Sequence, residues 1–264
     1  MRPSQLQQVP PSLGTALALS PVRVAAAHKN PSPRSFPIAF GMLRASGETI
    51  DGPRPSDWFD VFVDDHGDLV ALLMDVRSSA ESPDDFLATV VRDTRTALLR
   101  GDALHEVVGE LEMQLAAHPG VETGLIVLRV SQRDARVETL NAGMPAVANV
   151  GPGGRLDLYP ALSGPVGRRV GEVHPYELVP LVWGGTWLAV TDGMMNGSLD
   201  PENITALCAK LDLAGRGLTL AAATSDELYD EFQQVLSASR FLRDDATGVL
   251  VGADAAARFQ SGII

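Results

Sequence analysis

Cysteine is nearly absent: Cys208 stands alone among 264 residues, so neither an internal disulfide nor a multi-cysteine zinc site can form. Its place in a helical apolar pattern assigns it to packing. Positive charge is also scarce, with 21 Lys and Arg against 33 Asp and Glu, for a formal charge of -12. A phosphate-backbone partner demands clustered Lys and Arg, so nucleic acid is excluded. No apolar run approaches the roughly 20 residues of a spanning helix, which argues against a membrane. At the N-terminus, Gln, Pro and Ser interrupt the stretch where a signal peptide would be continuously apolar. A cytoplasmic location is the resulting expectation.

What is present is a chain that is 45% hydrophobic, enough for one domain with a substantial core. Residues 1–35 are rich in Pro, Ser, Gln and Ala without periodicity and read as a flexible tail. The domain is expected over 36–254, with a short C-terminal tail over 255–264. "FPIAFGMLRASG" reads as a first strand, and "WFDVFVDD" and "LVALLMDV" flank the turn "DDHGD" as a hairpin. Two helices follow, the first with Ser82 as N-cap and Pro83 at its first position, the second with Leu104, Val107, Val108, Leu111 and Leu115 on one face. Hairpins then recur, one around "GPGG", and two more strands lie around Gly184 and Gly185. A helix from about Pro201 to Leu213, another across "LTLAAATSDELYDEFQQVLSAS" and the strand "ATGVLVGA" close the pattern. Such an order indicates an α+β layered domain with antiparallel sheets.

Asp57, Asp60, Asp75, Asp192 and the pair Asp244 and Asp245 fall at strand ends, most of them next to an apolar strand, although Asp is depleted in strands. Any one of them alone reads equally well as turn chemistry. As a set they imply divalent cations, because clustered carboxylates repel and an uncompensated buried charge is expensive. Oxygen ligands without His or Cys point to Mg²⁺ or Mn²⁺.

Six ordered segments carry a resemblance. "PSDWFDVF", "LLMDVRSS", "LNAGMPAV", "LSGPVG", "WLAVTDGMMN" and "RDDATGVLV" are similar, over about residues 37–252, to motifs of the SpoIIE-like branch of the PPM metal-dependent Ser/Thr protein phosphatases. The resemblance implies a four-layer α-β-β-α sandwich with two antiparallel sheets and a site for two Mn²⁺ or Mg²⁺ ions at one edge. It further implies that Asp57 and Asp75 ligate the metals, with Asp75 bridging them and the Val76 carbonyl close by. Asp192 and Asp244 would hold the second metal's side, joined by Asp245. The implied substrate is a phosphorylated regulatory protein, such as an anti-sigma factor antagonist in bacterial partner-switching signalling.

The sequence departs from the family pattern after Asp75, where Arg77, Ser78, Ser79 and Ala80 stand in place of a Gly-x-Gly run, so the loop is shaped differently. Ser56 replaces the Gly before Asp57, and Met144 replaces a His. Arg77 has two readings, a donor to a substrate phosphate or a solvent-facing side chain that only helps to space the carboxylates, and the base rate for surface arginine favours the second. His174 and the pair Trp183 and Trp187 read as structural. Three functions stand at this point: a phosphoserine/phosphothreonine phosphatase, a pseudophosphatase that keeps the fold as a protein-binding module, and a metal-dependent hydrolase of small phosphoesters.

Overall fold

The computed structural model of the chain describes residues 38–50, 56–78, 84–195, 199–236 and 245–255. The tail expected over 1–35, nearly all of the C-terminal tail and the proposed cap residues Ser82 and Pro83 lie outside the described residues.

Where one strand was expected at the start there is a hairpin of β1 (Ile38–Phe40) and β2 (Leu43–Ile50). Gly41 makes the difference. Its φ of +57° gives a left-handed turn that residues with a Cβ resist, and this reverses the chain inside the apolar run. The next hairpin, β3 (Asp57–Val63) and β4 (Leu69–Ser78), closes as the sequence predicts. The Asp64 carboxylate accepts the backbone N–H groups of His66 and Asp68 at 2.9 Å each, a side-chain-stabilised turn.

Helices α1 (Asp84–Leu99) and α2 (Leu104–Ala116) follow, and the five apolar residues expected on one face of α2 are the ones it buries. Then come β5 (Val121–Ser131), β6 (Arg136–Ala142), β7 (Val147–Val150), β8 (Leu156–Tyr159), β9 (Tyr176–Pro180) and β10 (Thr186–Val190). The strands around Gly184 and Gly185 do not pair with each other. β9 pairs with β6, whereas β10 crosses to the other sheet between β7 and β11 (Ala246–Ala253).

The C-terminal helical region also differs from expectation. Helix α3 (Pro201–Lys210) precedes α4 (Leu213–Ala221) and α5 (Ser225–Leu236), where the sequence suggests one helix after α3. A reciprocal cap starts α5: the Glu227 N–H donates to Thr224 Oγ1 at 3.4 Å, and the Thr224 N–H donates to the Glu227 carboxylate at 2.8 Å.

The strands form two antiparallel sheets, ordered β3-β4-β5-β6-β9 and β1-β2-β11-β10-β7-β8. Three apolar layers join four layers of structure. Val70, Leu72, Met74, Leu98 and Leu111 fill the space between the first sheet and α1 and α2. Phe59, Leu73, Trp187 and Val249 lie between the sheets. Leu188, Leu207, Phe232 and Leu250 join the second sheet to α3, α4 and α5. Each large side chain buried in this way contributes about 1.5–3 kcal/mol. The result is the α-β-β-α sandwich that the family resemblance implies. Among the described residues, no helix is long and apolar enough to cross a membrane.

Cys208 packs in the layer beneath α3, and burial pushes its thiol up to about 12. At pH 8 this leaves on the order of a thousandfold less thiolate than an ordinary cysteine has. Iodoacetamide is therefore expected to label the chain only after denaturation. Rapid labelling of the folded protein, followed by mass spectrometry, would contradict this packing.

Candidate active site

Strand alternation decides which acids meet. Along β3, Asp57, Phe59 and Val61 share the face toward the second sheet, while Trp58, Asp60 and Phe62 face α1 and α2. Asp60 therefore leaves the group. It forms an ion pair with Arg95 of α1; its burial raises its pKa while the arginine pulls the other way. Asp75 sits directly opposite Asp57 in the β3–β4 register and, with Ala71 and Leu73, faces between the sheets.

The second sheet supplies the remaining acids. β10 ends at Val190, with Thr191 and Asp192 next in the chain, and Asp245 immediately precedes the neighbouring strand β11. Asp244 lies outside the described residues. Polar links tie the two sheets together at this edge. The Thr191 hydroxyl donates to Asp57 Oδ2 at 2.6 Å, and Asp245 Oδ2 accepts the amides of Ser56 at 2.8 Å and Asp57 at 3.3 Å. The Ser56 hydroxyl donates to Asp75 Oδ1 at 3.1 Å, and the Val76 amide donates to the Ser56 carbonyl at 3.1 Å. Ser56 and Thr191 are thus orienting residues that acid-centred reading of the sequence missed. Their signal was position, since each adjoins one of the acids.

Asp57, Asp75 and Asp245 are all buried. Burial raises the Asp57 pKa well above the ordinary carboxylate value; the Thr191 hydrogen bond opposes this, and the charges of Asp75 and Asp245 add to it. Asp75 is raised as well, chiefly by burial, with Arg77 opposing and Asp192 adding.

Arg77 does not face solvent unpaired, which corrects the solvent-facing part of the sequence reading and leaves it beside the carboxylates. Its Nε donates to Asp75 Oδ2 at 2.8 Å, while its Nη2 lies 2.6 Å from both that oxygen and Asp192 Oδ2. Alternation again supplies the reason. Arg77 stands two residues beyond Asp75 on β4 and so shares its face. Beyond the guanidinium, Arg77, Ser78, Glu122, Gly167 and Arg168 line an open groove of about 460 Å³.

Other motif residues build the scaffold. The Asn141 side chain donates to the Pro145 carbonyl at 2.8 Å and accepts the Met144 amide at 3.2 Å, which fixes the turn that buries Met144. His174 bridges Ser163 at 2.7 Å and Glu112 of α2 at 3.0 Å, pinning the 160–175 segment to that helix. Trp187 packs on Tyr159, with 5.0 Å between ring centroids. The structural readings of His174 and Trp187 hold.

The donor set consists of carboxylate oxygens, which suits a hard divalent cation in kind. Its present arrangement suits a guanidinium. Among the described residues, no three His, Cys, Asp or Glu side chains are disposed to enclose an ion, and Arg77 spans two of the acids.

A family model described as Stage II sporulation protein E (SpoIIE) matches residues 80–254. No curated protein matches the chain in sequence. Among solved structures, the RsbU and RsbW domains of Rv1364c from Mycobacterium tuberculosis are similar at 20% identity and a TM-score of 0.64, covering 87% of this chain and 64% of that one. The PP2C phosphatase domain with a regulatory fragment of SpoIIE from Bacillus subtilis is similar at 16% identity and a TM-score of 0.61, covering 80% and 62%. RsbX in complex with magnesium is similar at 14% identity and a TM-score of 0.56, covering 81% and 97%. At these identities the likeness is one of fold. The chain spans less than two thirds of the first two structures.

Proposed function

The chain belongs to the SpoIIE family, and from that membership we propose that it is a metal-dependent phosphatase acting on phosphoserine or phosphothreonine in a protein. One observation carries the reading: Asp57 and Asp75 from one sheet meet Asp192 and Asp245 from the other at a single edge of the sandwich. In this reading Asp57, Asp75, the Val76 carbonyl, Asp192, Asp244 and Asp245 would hold two Mn²⁺ or Mg²⁺ ions. Such ions supply Lewis acidity toward a phosphoryl oxygen and an attacking water.

The chain's own residues orient and exclude. Thr191 holds Asp57, Ser56 holds Asp75, and the Ser56 and Asp57 amides hold Asp245, which orients three of the acids from behind. Arg168, which also lines the groove, offers a charge-assisted donor to a phosphoryl group. The proposed substrate is a phosphorylated regulatory protein, with an anti-sigma factor antagonist as the leading candidate; the RsbU and RsbW domains of a similar structure motivate that choice.

The second reading, a binding module without turnover, is favoured by a different observation: Arg77 engages both Asp75 and Asp192. An assay of the full chain on an aryl phosphate and a phosphoserine peptide decides between them. Hydrolysis that requires Mn²⁺ or Mg²⁺ and stops with chelator is the expected result. No release of phosphate from either substrate at millimolar Mn²⁺ would sink the phosphatase reading.

A further inference from the structure

We propose that Arg77 is a built-in counter-ion that competes with divalent metal for Asp75 and Asp192, so that metal loading requires its guanidinium to swing away. The inference rests on the phosphatase reading of the same site and adds to it a means of regulation.

Three observations carry it. First, the guanidinium and an ion would compete for the same carboxylates. Nε and Nη2 of Arg77 both use Asp75 Oδ2, and Nη2 also uses Asp192 Oδ2. An ion held between those carboxylates would lie beside the guanidinium, and the two positive charges would repel each other. Second, the carboxylates need a cation. Asp75 is buried, and a buried carboxylate without a partner is costly. Arg77 offsets that cost when metal is scarce.

Third, the fold offers Arg77 somewhere to go. Glu122 of β5 is its cross-strand partner in the β4–β5 register, so the two side chains share a face of the sheet. Glu122 lines the groove that Arg77 also borders, and only a long contact of 4.0 Å to Arg168 engages its carboxylate among the described ion pairs. The Arg77 side chain is 42% exposed, which leaves it room to move. Two positions follow: on Asp75 and Asp192 in the metal-free chain, and toward Glu122 in the loaded one.

The test measures Mn²⁺ affinity by calorimetry on the full chain and on Arg77→Met, which keeps much of the apolar stem and removes the charge. The variant is expected to bind Mn²⁺ at least about tenfold more tightly, the release of a competing contact worth about 1.4 kcal/mol or more. Its metal-free form should melt below the parent, and added Mn²⁺ should raise its melting temperature by more than it raises the parent's. Arg77→Lys keeps a charge but loses the two-pronged geometry and should fall between them. It also keeps the test decisive if Arg77→Met does not fold without metal.

Equal or weaker Mn²⁺ binding in the folded variants would overturn the proposal. Hydrolysis by the parent together with unchanged affinity would overturn this proposal alone. Tighter binding with no hydrolysis in either protein would overturn the phosphatase reading and leave the counter-ion role standing. No binding in any of the three proteins would overturn both.

Discussion

Replacing Gly193 with alanine is expected to cost about 3 kcal/mol of folding stability and to abolish hydrolysis. Gly193 follows Asp192 in a short helical turn, Asp192–Met195, that presses on the chain entering β11. A Cβ at this position would stand 1.6 Å from the Asp245 carbonyl oxygen and 2.6 Å from its carbon. Both atoms are backbone, so no flexible side chain can yield. Relief requires the turn and the strand to separate, and these are the segments that carry Asp192 and Asp245. Urea denaturation of the variant beside Gly109→Ala checks the claim. Gly109 lies on an exposed position of α2 where a Cβ meets nothing within 4 Å, so its alanine variant should gain about 0.5–1 kcal/mol. Wild-type stability in Gly193→Ala would show that the turn does not need its close approach.

Asp57→Asn is expected to act in opposite directions on stability and on function. The asparagine keeps an oxygen for the Thr191 hydroxyl while removing a buried charge that stands close to Asp75 and Asp245. The metal-free protein should gain about 1–2 kcal/mol. Phosphatase activity with Mn²⁺ should fall about a thousandfold, equivalent to about 4 kcal/mol of transition-state stabilisation. The pH dependence follows from the raised Asp57 pKa. Between the unfolded and folded pKa values the native state binds more protons, so stability falls as pH rises through that window. The parent should lose stability there, and the variant should lose less. A variant that is less stable than the parent at neutral pH, or that retains full activity, would refute the assignment of Asp57.

Much of this site could be read from the chain because strands are simple. The turn at "DDHGD" fixes the β3–β4 register, and the register alone sets Asp57 opposite Asp75. Counting in twos from Asp57 would also have sent Asp60 to the helix side, and counting in twos from Asp75 would have brought Arg77 onto its carboxylate. Base rates for surface arginine concealed the second of these. The split between α4 and α5 was legible in Thr224 and Glu227, yet the alanine-rich run before them suggests continuity more strongly than the cap suggests a break. What local pattern could not supply was the assignment of β9 and β10 to different sheets. Both are short strands around two glycines, and only the partners they find across the chain tell a hairpin from a crossover.

The layer between the sheets has a further consequence. Asp57 and Asp75 ride on one sheet, Asp192 and Asp245 on strand ends of the other, so the gap between the two pairs depends on the thickness of the filling. That filling is tight at Gly47 of β2, where a Cβ would stand 2.7 Å from the Phe59 ring and 3.0 Å from Val249. A methyl group added there, or a ring removed at Phe59, changes the spacing of the carboxylates without touching one of them. The interior of the sandwich therefore acts as a spacer for its acids. At these positions, selection for core volume and selection for the spacing of the carboxylates become a single constraint.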